Sequence, residues 1–165
     1  MNGKVLVAGV GNIFLGDDAF GVEVVRRLAQ RPLPNGVCVA DYGIRSYDLA
    51  YALMECWELV VLVDALPRNG DPGTLYMLEP QLLDDSQVAP CVDAHSMNPV
   101  AVLQLVQALG GTPGQIIVVG CEPACVDPDE EGKFALSQPV AAAVDEAVSM
   151  VENLITCACS QRSAA

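Results

Sequence analysis

Several acidic residues and the chain's one histidine sit where they can meet. Asp17 and Asp18 follow a first apolar run, Asp41 and Asp64 close the second and third runs, and Glu122 follows the fifth. Three or more carboxylates gathered at one edge repel each other unless a cation or added protons neutralise them. His95 lies in the polar stretch Val92-Asp93-Ala94-His95-Ser96-Met97-Asn98-Pro99, where Asp93 can orient its ring. One imidazole with two carboxylates suits a borderline divalent ion such as nickel or zinc, whereas magnesium prefers oxygen alone. Three ligands leave positions open for water or a substrate group. Each residue also has a plainer reading: Asp17 or Asp18 can cap the helix that follows, and a lone histidine can be a hydrogen-bonded structural residue.

The elements that must position these groups alternate. Val5-Leu6-Val7-Ala8 is apolar without alternation, as in a strand covered on both faces, and Gly9-Val10-Gly11-Asn12 breaks it. From Asp17-Asp18 to about Gln30, Phe20, Val24, Val25 and Leu28 recur at helical spacing, with acids first and arginines last. The unit recurs as a strand over Val37 to Ala40 ending on Asp41, a loop, and a helix from about Asp48 to Glu55. Leu59 to Val63 is a third strand, ending on Asp64. Turn formers from Arg68 to Gly73 then let Thr74 to Leu78 return as an antiparallel or edge strand. A helix follows from near Pro99 to Gly110-Gly111, a strand over Ile116 to Val119, and a last helix from about Ser137 to Thr156. The expected fold is α/β: three α/β/α layers with a mostly parallel, twisted sheet of about five strands. In such sheets ligands bind at the carboxyl ends of the strands, which is where the acids fall.

Bulk properties bound the function. A chain of 165 residues that is 52% hydrophobic and 18% charged is a packed globule, read as one domain over 1–165 with a frayed tail after about residue 157. Its formal charge of −13 repels phosphate backbones and anionic headgroups, so neither nucleic acid nor a membrane is an expected partner. No apolar stretch approaches the roughly 20 residues of a membrane helix, and the start lacks the flanks of a secretory signal. Seven cysteines, odd in number and without a CxxC pair, read as free thiols in the cytoplasm.

Rival chemistries fail on particular residues. A dinucleotide loop at Gly9-Val10-Gly11 needs a third glycine where the chain has Phe14, and Asp17 and Asp18 would repel a pyrophosphate. The glycines serve equally as a tight turn aiming the next loop. Cys91 four residues before His95 can be imagined as a thiol nucleophile, but a loop spacing fixes no geometry. A phosphoacceptor receiver domain would use Asp17, Asp18 and Asp64 but also a lysine at the end of strand five. This chain has Gly120-Cys121-Glu122-Pro123 there.

Taken in order, Gly9-Val10-Gly11-Asn12 with Asp17-Asp18 and Gly21, Val63-Asp64-Ala65, Pro72-Gly73-Thr74, His95-Ser96 and Gly120-Cys121-Glu122-Pro123 resemble the hydrogenase maturation proteases. The similarity runs from about Lys4 to Leu154. These endopeptidases remove the C-terminal tail of the nickel-iron hydrogenase large-subunit precursor once nickel is inserted. The resemblance implies that the metal-contacting trio is Asp18, Asp64 and His95. Asp18 stands where many members carry the longer glutamate. It further implies that Asp41 is the acid with a catalytic role. Where many members continue Gly-Gly-Thr, this chain reads Tyr42-Gly43-Ile44-Arg45-Ser46, and Arg45 is a candidate contact to the precursor.

The expected cofactor is therefore nickel carried by the precursor and touched transiently, with zinc or cadmium able to substitute in vitro. Asp41 is the candidate base that takes water's proton. Whether the metal polarises the scissile carbonyl or activates water stays open. A non-cleaving nickel chaperone or sensor for the same precursor is the alternative, because the sequence has no Ser-His-Asp triad and no HExxH helix.

Overall fold

Apolar runs without alternation become strands buried throughout: every residue of β1 (Val5–Val10) and β3 (Leu59–Ala65) is buried. The structure, a computed structural model, describes residues 4–80, 99–124 and 135–163. After β1 come a 3-10 turn (Gly16–Ala19), α1 (Phe20–Leu28), β2 (Val37–Gly43) and α2 (Ser46–Leu53). After β3 come β4 (Leu75–Leu78), α3 (Pro99–Ala108), β5 (Gln115–Cys121) and α4 (Gln138–Ser163). The sheet order is β2-β1-β3-β5-β4, parallel except that the edge strand β4 runs antiparallel to β5. The return strand expected after the Arg68–Gly73 turn is thus β4.

Alternate residues of each strand face opposite layers. Val5, Val7, Val61 and Val63 meet Phe20, Val24 and Leu28 of α1 and Val144, Val148 and Val151 of α4. Leu6, Ala8, Val60 and Leu62 meet Leu49 and Leu53 of α2 and Val102 and Val106 of α3. Arg27 joins Glu23 to Asp145, and Arg31 reaches Glu152, so α1 and α4 are also linked at their rims. Among the described residues no helix is long and apolar enough to cross a membrane.

One boundary differs from expectation. The tail after Cys157 is helical through Ser163. The reason is that the stripe through Met150 and Leu154 continues into Ala158 and Cys159, which pack on the same core.

The chain moves from β1 outward to β2 and then returns to the other side of β1 for β3, so the winding reverses between β1 and β3. At such a reversal the connections leave to opposite faces and open a crevice at the carboxyl edge. Gly21 lets α1 start directly against that edge: a Cβ there would lie 2.0 Å from the Val63 carbonyl oxygen and 2.4 Å from that of Val10. Neither backbone can yield cheaply, so Gly21→Ala is expected to destabilise the protein by about 3 kcal/mol. Urea unfolding checks this; a loss near zero would mean that α1 is not seated as described.

Candidate active site

The crevice receives its acids from both sides. Gly11, at φ 133°, lets the Asp18 backbone approach so closely that a Cβ would lie 1.8 Å from the Asp18 carbonyl oxygen. The Asn12 N–H then donates to Asp18 Oδ2 at 2.7 Å. The glycine turn therefore aims the following loop and brings Asp18, in the 3-10 turn, close enough to Asp64 near the end of β3 for its charge to act there.

Asp64 is 4% exposed. Its carboxyl pKa stands well above the usual aspartate range, raised first by burial and then by the negative charge of Asp18, with the Ala65 N–H offsetting part of the effect. A buried carboxyl facing a second carboxylate is satisfied by a proton or by a cation. Opposite Asp64 in the register with β5 stands Gly120, which adds no side chain to the crevice. The donor set of two carboxylates suits a divalent ion with further ligands from elsewhere. Among the described residues no group of three or more His, Cys, Asp or Glu side chains is arranged to hold a metal. His95, together with Asp93 and Cys91, lies outside the described residues.

The other acids separate from this pair. Asp17 is 1% exposed, and its carboxylate accepts the Ser137 N–H at 2.6 Å, the Ser137 hydroxyl at 2.8 Å and the Ala124 N–H at 2.8 Å. It pins the chain just before α4 to the site loop. The helix-cap reading of Asp17 or Asp18 does not hold for the helix that follows, because neither caps the 3-10 turn or α1 through its side chain. Asp17→Ala strands buried donors and should lower stability by about 3 kcal/mol, against about 1 kcal/mol for Asp18→Ala, which frees one partly buried N–H. Equal urea midpoints for the two variants would contradict this division of roles.

Glu122, 4% exposed, is also a loop anchor. It accepts the Tyr76 hydroxyl and the Arg68 N–H, each at 2.8 Å. Burial alone would raise its pKa, but the Tyr76 hydroxyl and the N–H groups of Arg68, Gly70 and Asn69 outweigh it and hold the carboxyl below its ordinary value. Of the acids expected at this edge, Asp17 and Glu122 are consumed by backbone and hydroxyl donors, which leaves Asp18 and Asp64 for the candidate site. Residue type alone does not separate Asp17 from Asp18, although the family resemblance points to Asp18; in the structure Ser137, far downstream, takes Asp17.

Asp41 is exposed, within β2, and in register with Gly9, which is itself in register with Val63. It lies at the same edge as Asp64, about 10 Å away across two strand spacings. Alternation puts Asp41 on the α1/α4 face and Asp64 on the other. The Arg45 guanidinium donates to the Asp41 and Tyr42 carbonyls and lies 3.6 Å from Asp48, so this arginine holds its own loop. Among the cysteines, Cys121 is buried at the end of β5, where burial first and the charges of Asp17 and Glu122 next push its thiol up to about 12. Such a thiol is no nucleophile at neutral pH.

A fold whose winding reverses beside the buried Asp64 and the half-buried Asp18 defines an α/β protein with its candidate site at the carboxyl edge of the sheet. Comparison with known proteins makes the class specific. The family model described as hydrogenase maturation protease matches residues 22–154. A putative hydrogenase maturation protease of Methanocaldococcus jannaschii is 32% identical over 149 residues, covering 89% of this chain and 93% of that one. The hydrogenase 2 maturation protease of Escherichia coli is 29% identical, covering 90% and 88%. Among solved structures, the E. coli hydrogenase maturating endopeptidase HybD superposes with a TM-score of 0.70 at 29% identity over 90% of this chain and 89% of that one. A hydrogenase 2 maturation peptidase from a Thaumarchaeota archaeon gives 0.70 at 32% identity, over 93% and 98%. The chain belongs to the hydrogenase maturation protease family.

Proposed function

We propose that this protein is the endopeptidase that removes the C-terminal extension from a nickel-iron hydrogenase large-subunit precursor in the cytoplasm after nickel has been inserted. The observation that carries this reading is the Asp18–Asp64 pair at the winding reversal, in a chain of this family. A buried carboxyl with a second acid nearby is suited to inspecting a metal brought by a partner, because a cation compensates the charge that burial disfavours. Asp18 and Asp64, with His95, contact nickel held by the precursor, and that contact positions the tail. Asp41, exposed at the same edge, takes the proton of the attacking water, and the released amine leaves with the tail.

The test is to mix the purified protein with nickel-loaded and nickel-free precursor and to weigh the products. A C-terminal peptide should be lost from the nickel-loaded precursor alone. Tight binding with no change of mass would overturn cleavage in favour of a chaperone, and equal cleavage of both forms would overturn nickel recognition.

A further inference from the structure

β2 is one of the two outer strands of the sheet, at the edge opposite β4, and among the described residues no strand pairs with its free side. The Val5 N–H donates to the Gly36 carbonyl, which fixes the alternation beyond it. Gly36, Cys38 and Ala40 turn their backbone groups toward β1, and Val37, Val39 and Asp41 turn theirs outward. Two contacts on the outer side agree: the Val37 N–H donates to the Pro34 carbonyl at 3.3 Å, and the Arg45 guanidinium donates to the Asp41 carbonyl. Among the described residues, the Val37 carbonyl, the Val39 N–H and carbonyl, and the Asp41 N–H are left unpaired along this side.

Edge strands are normally blunted by lysine, proline or a covering element. β2 reads VCVADYG, with neither lysine nor proline. Such a row of unpaired donors and acceptors complements one kind of ligand, an extended polypeptide.

Resting on the function proposed above, we infer that the free edge of β2 binds the precursor segment around the scissile bond as an added antiparallel strand. The direction follows from the site. A tail whose preceding residues hold nickel at Asp18 and Asp64 starts at the carboxyl edge, so along β2 it runs from Asp41 toward Val37. Val39 exchanges two hydrogen bonds with one substrate residue, the Asp41 N–H donates to the residue two positions earlier, and the Val37 carbonyl accepts from the residue two positions later. The added strand lies three strand spacings from β3, about 14 Å, which about four extended residues cover. Asp41 then serves twice, its backbone fixing the register of the peptide and its carboxylate standing beside the bond to be cut.

The test uses the full-length protein and a synthetic peptide spanning the cleavage point of the precursor. Amide hydrogen exchange read by NMR should show about tenfold or greater added protection at Val39 and Asp41, with Cys38 and Ala40, already bonded to β1, unchanged. A second measurement uses Val39→Pro, which removes an outward N–H without touching the β1 ladder and is tolerable on an edge strand. Its KM for nickel-loaded precursor should rise at least about tenfold with kcat little changed. Peptide binding without protection of Val39 and Asp41, or a folded Val39→Pro protein with unchanged KM, overturns the inference and leaves the protease reading standing. Should the wild-type protein fail to process nickel-loaded precursor, the protease reading falls and this inference falls with it. If Val39→Pro does not fold, the exchange pattern of the wild-type protein decides.

Discussion

Asp64→Asn should abolish processing of nickel-loaded precursor, by at least about 100-fold, while making the protein more stable. The two effects have one cause. Asp64 is buried beside Asp18, and the folded protein holds its proton more tightly than the unfolded chain does. For a carboxyl whose folded pKa is raised, stability is greatest below the unfolded value of about 4 and declines as pH rises through the folded value. Asparagine fills nearly the same space without a charge and removes that decline. It also offers nickel a weak amide oxygen where a carboxylate stood. Urea unfolding at about pH 5 and about pH 8 should therefore show the variant gaining on the wild type as pH rises. A variant less stable at both values would mean that the Asp64 charge is satisfied within the chain, and an active one would remove Asp64 from metal contact.

The second large effect concerns Asp41. Asp41→Asn should lower kcat for processing by about 100- to 10,000-fold, the range for loss of a general base, while binding of nickel-loaded precursor stays close to wild type. Asparagine keeps the β2 backbone, including the outward N–H of residue 41 and the carbonyl that Arg45 holds, so only proton transfer is removed. Single-turnover processing followed by intact mass separates the two parameters. Full-rate cleavage by Asp41→Asn would end its assignment as the base. Loss of binding with unchanged kcat would make it a recognition residue instead.

Much of the scaffold was legible because its strands are apolar on consecutive positions. Leu59 to Val63 could be little else than a strand covered on both faces, and acids at the ends of such strands must fall at one edge. The return of β4 was legible from the turn formers between Arg68 and Gly73. What could not be read were distinctions made by residues far apart in the chain. Asp17 and Asp18 are adjacent and alike, so residue chemistry did not part them and only the family resemblance pointed to Asp18; that Ser137 takes Asp17 was not legible. Glu122 reads as one more site acid until Tyr76 and the Arg68 loop are seen to occupy it. The last turns of α4 were hidden because Ser160 and Gln161 are polar and exposed, and only the inward Ala158 and Cys159 continue the stripe.

The link between Asp17 and Ser137 spans 120 positions. Contacts of such separation close late, because a long loop must be ordered before they form. During synthesis β1, the site loop and α1 emerge early, but the donors that hold Asp17 in place appear only when most of the polypeptide has left the ribosome. Asp18 is carried on the same turn as Asp17. The turn that carries Asp18 toward Asp64 therefore gains its long-range anchor only once Ser137 is present, and a chain ending before Ser137 would leave that turn held by its local contacts alone.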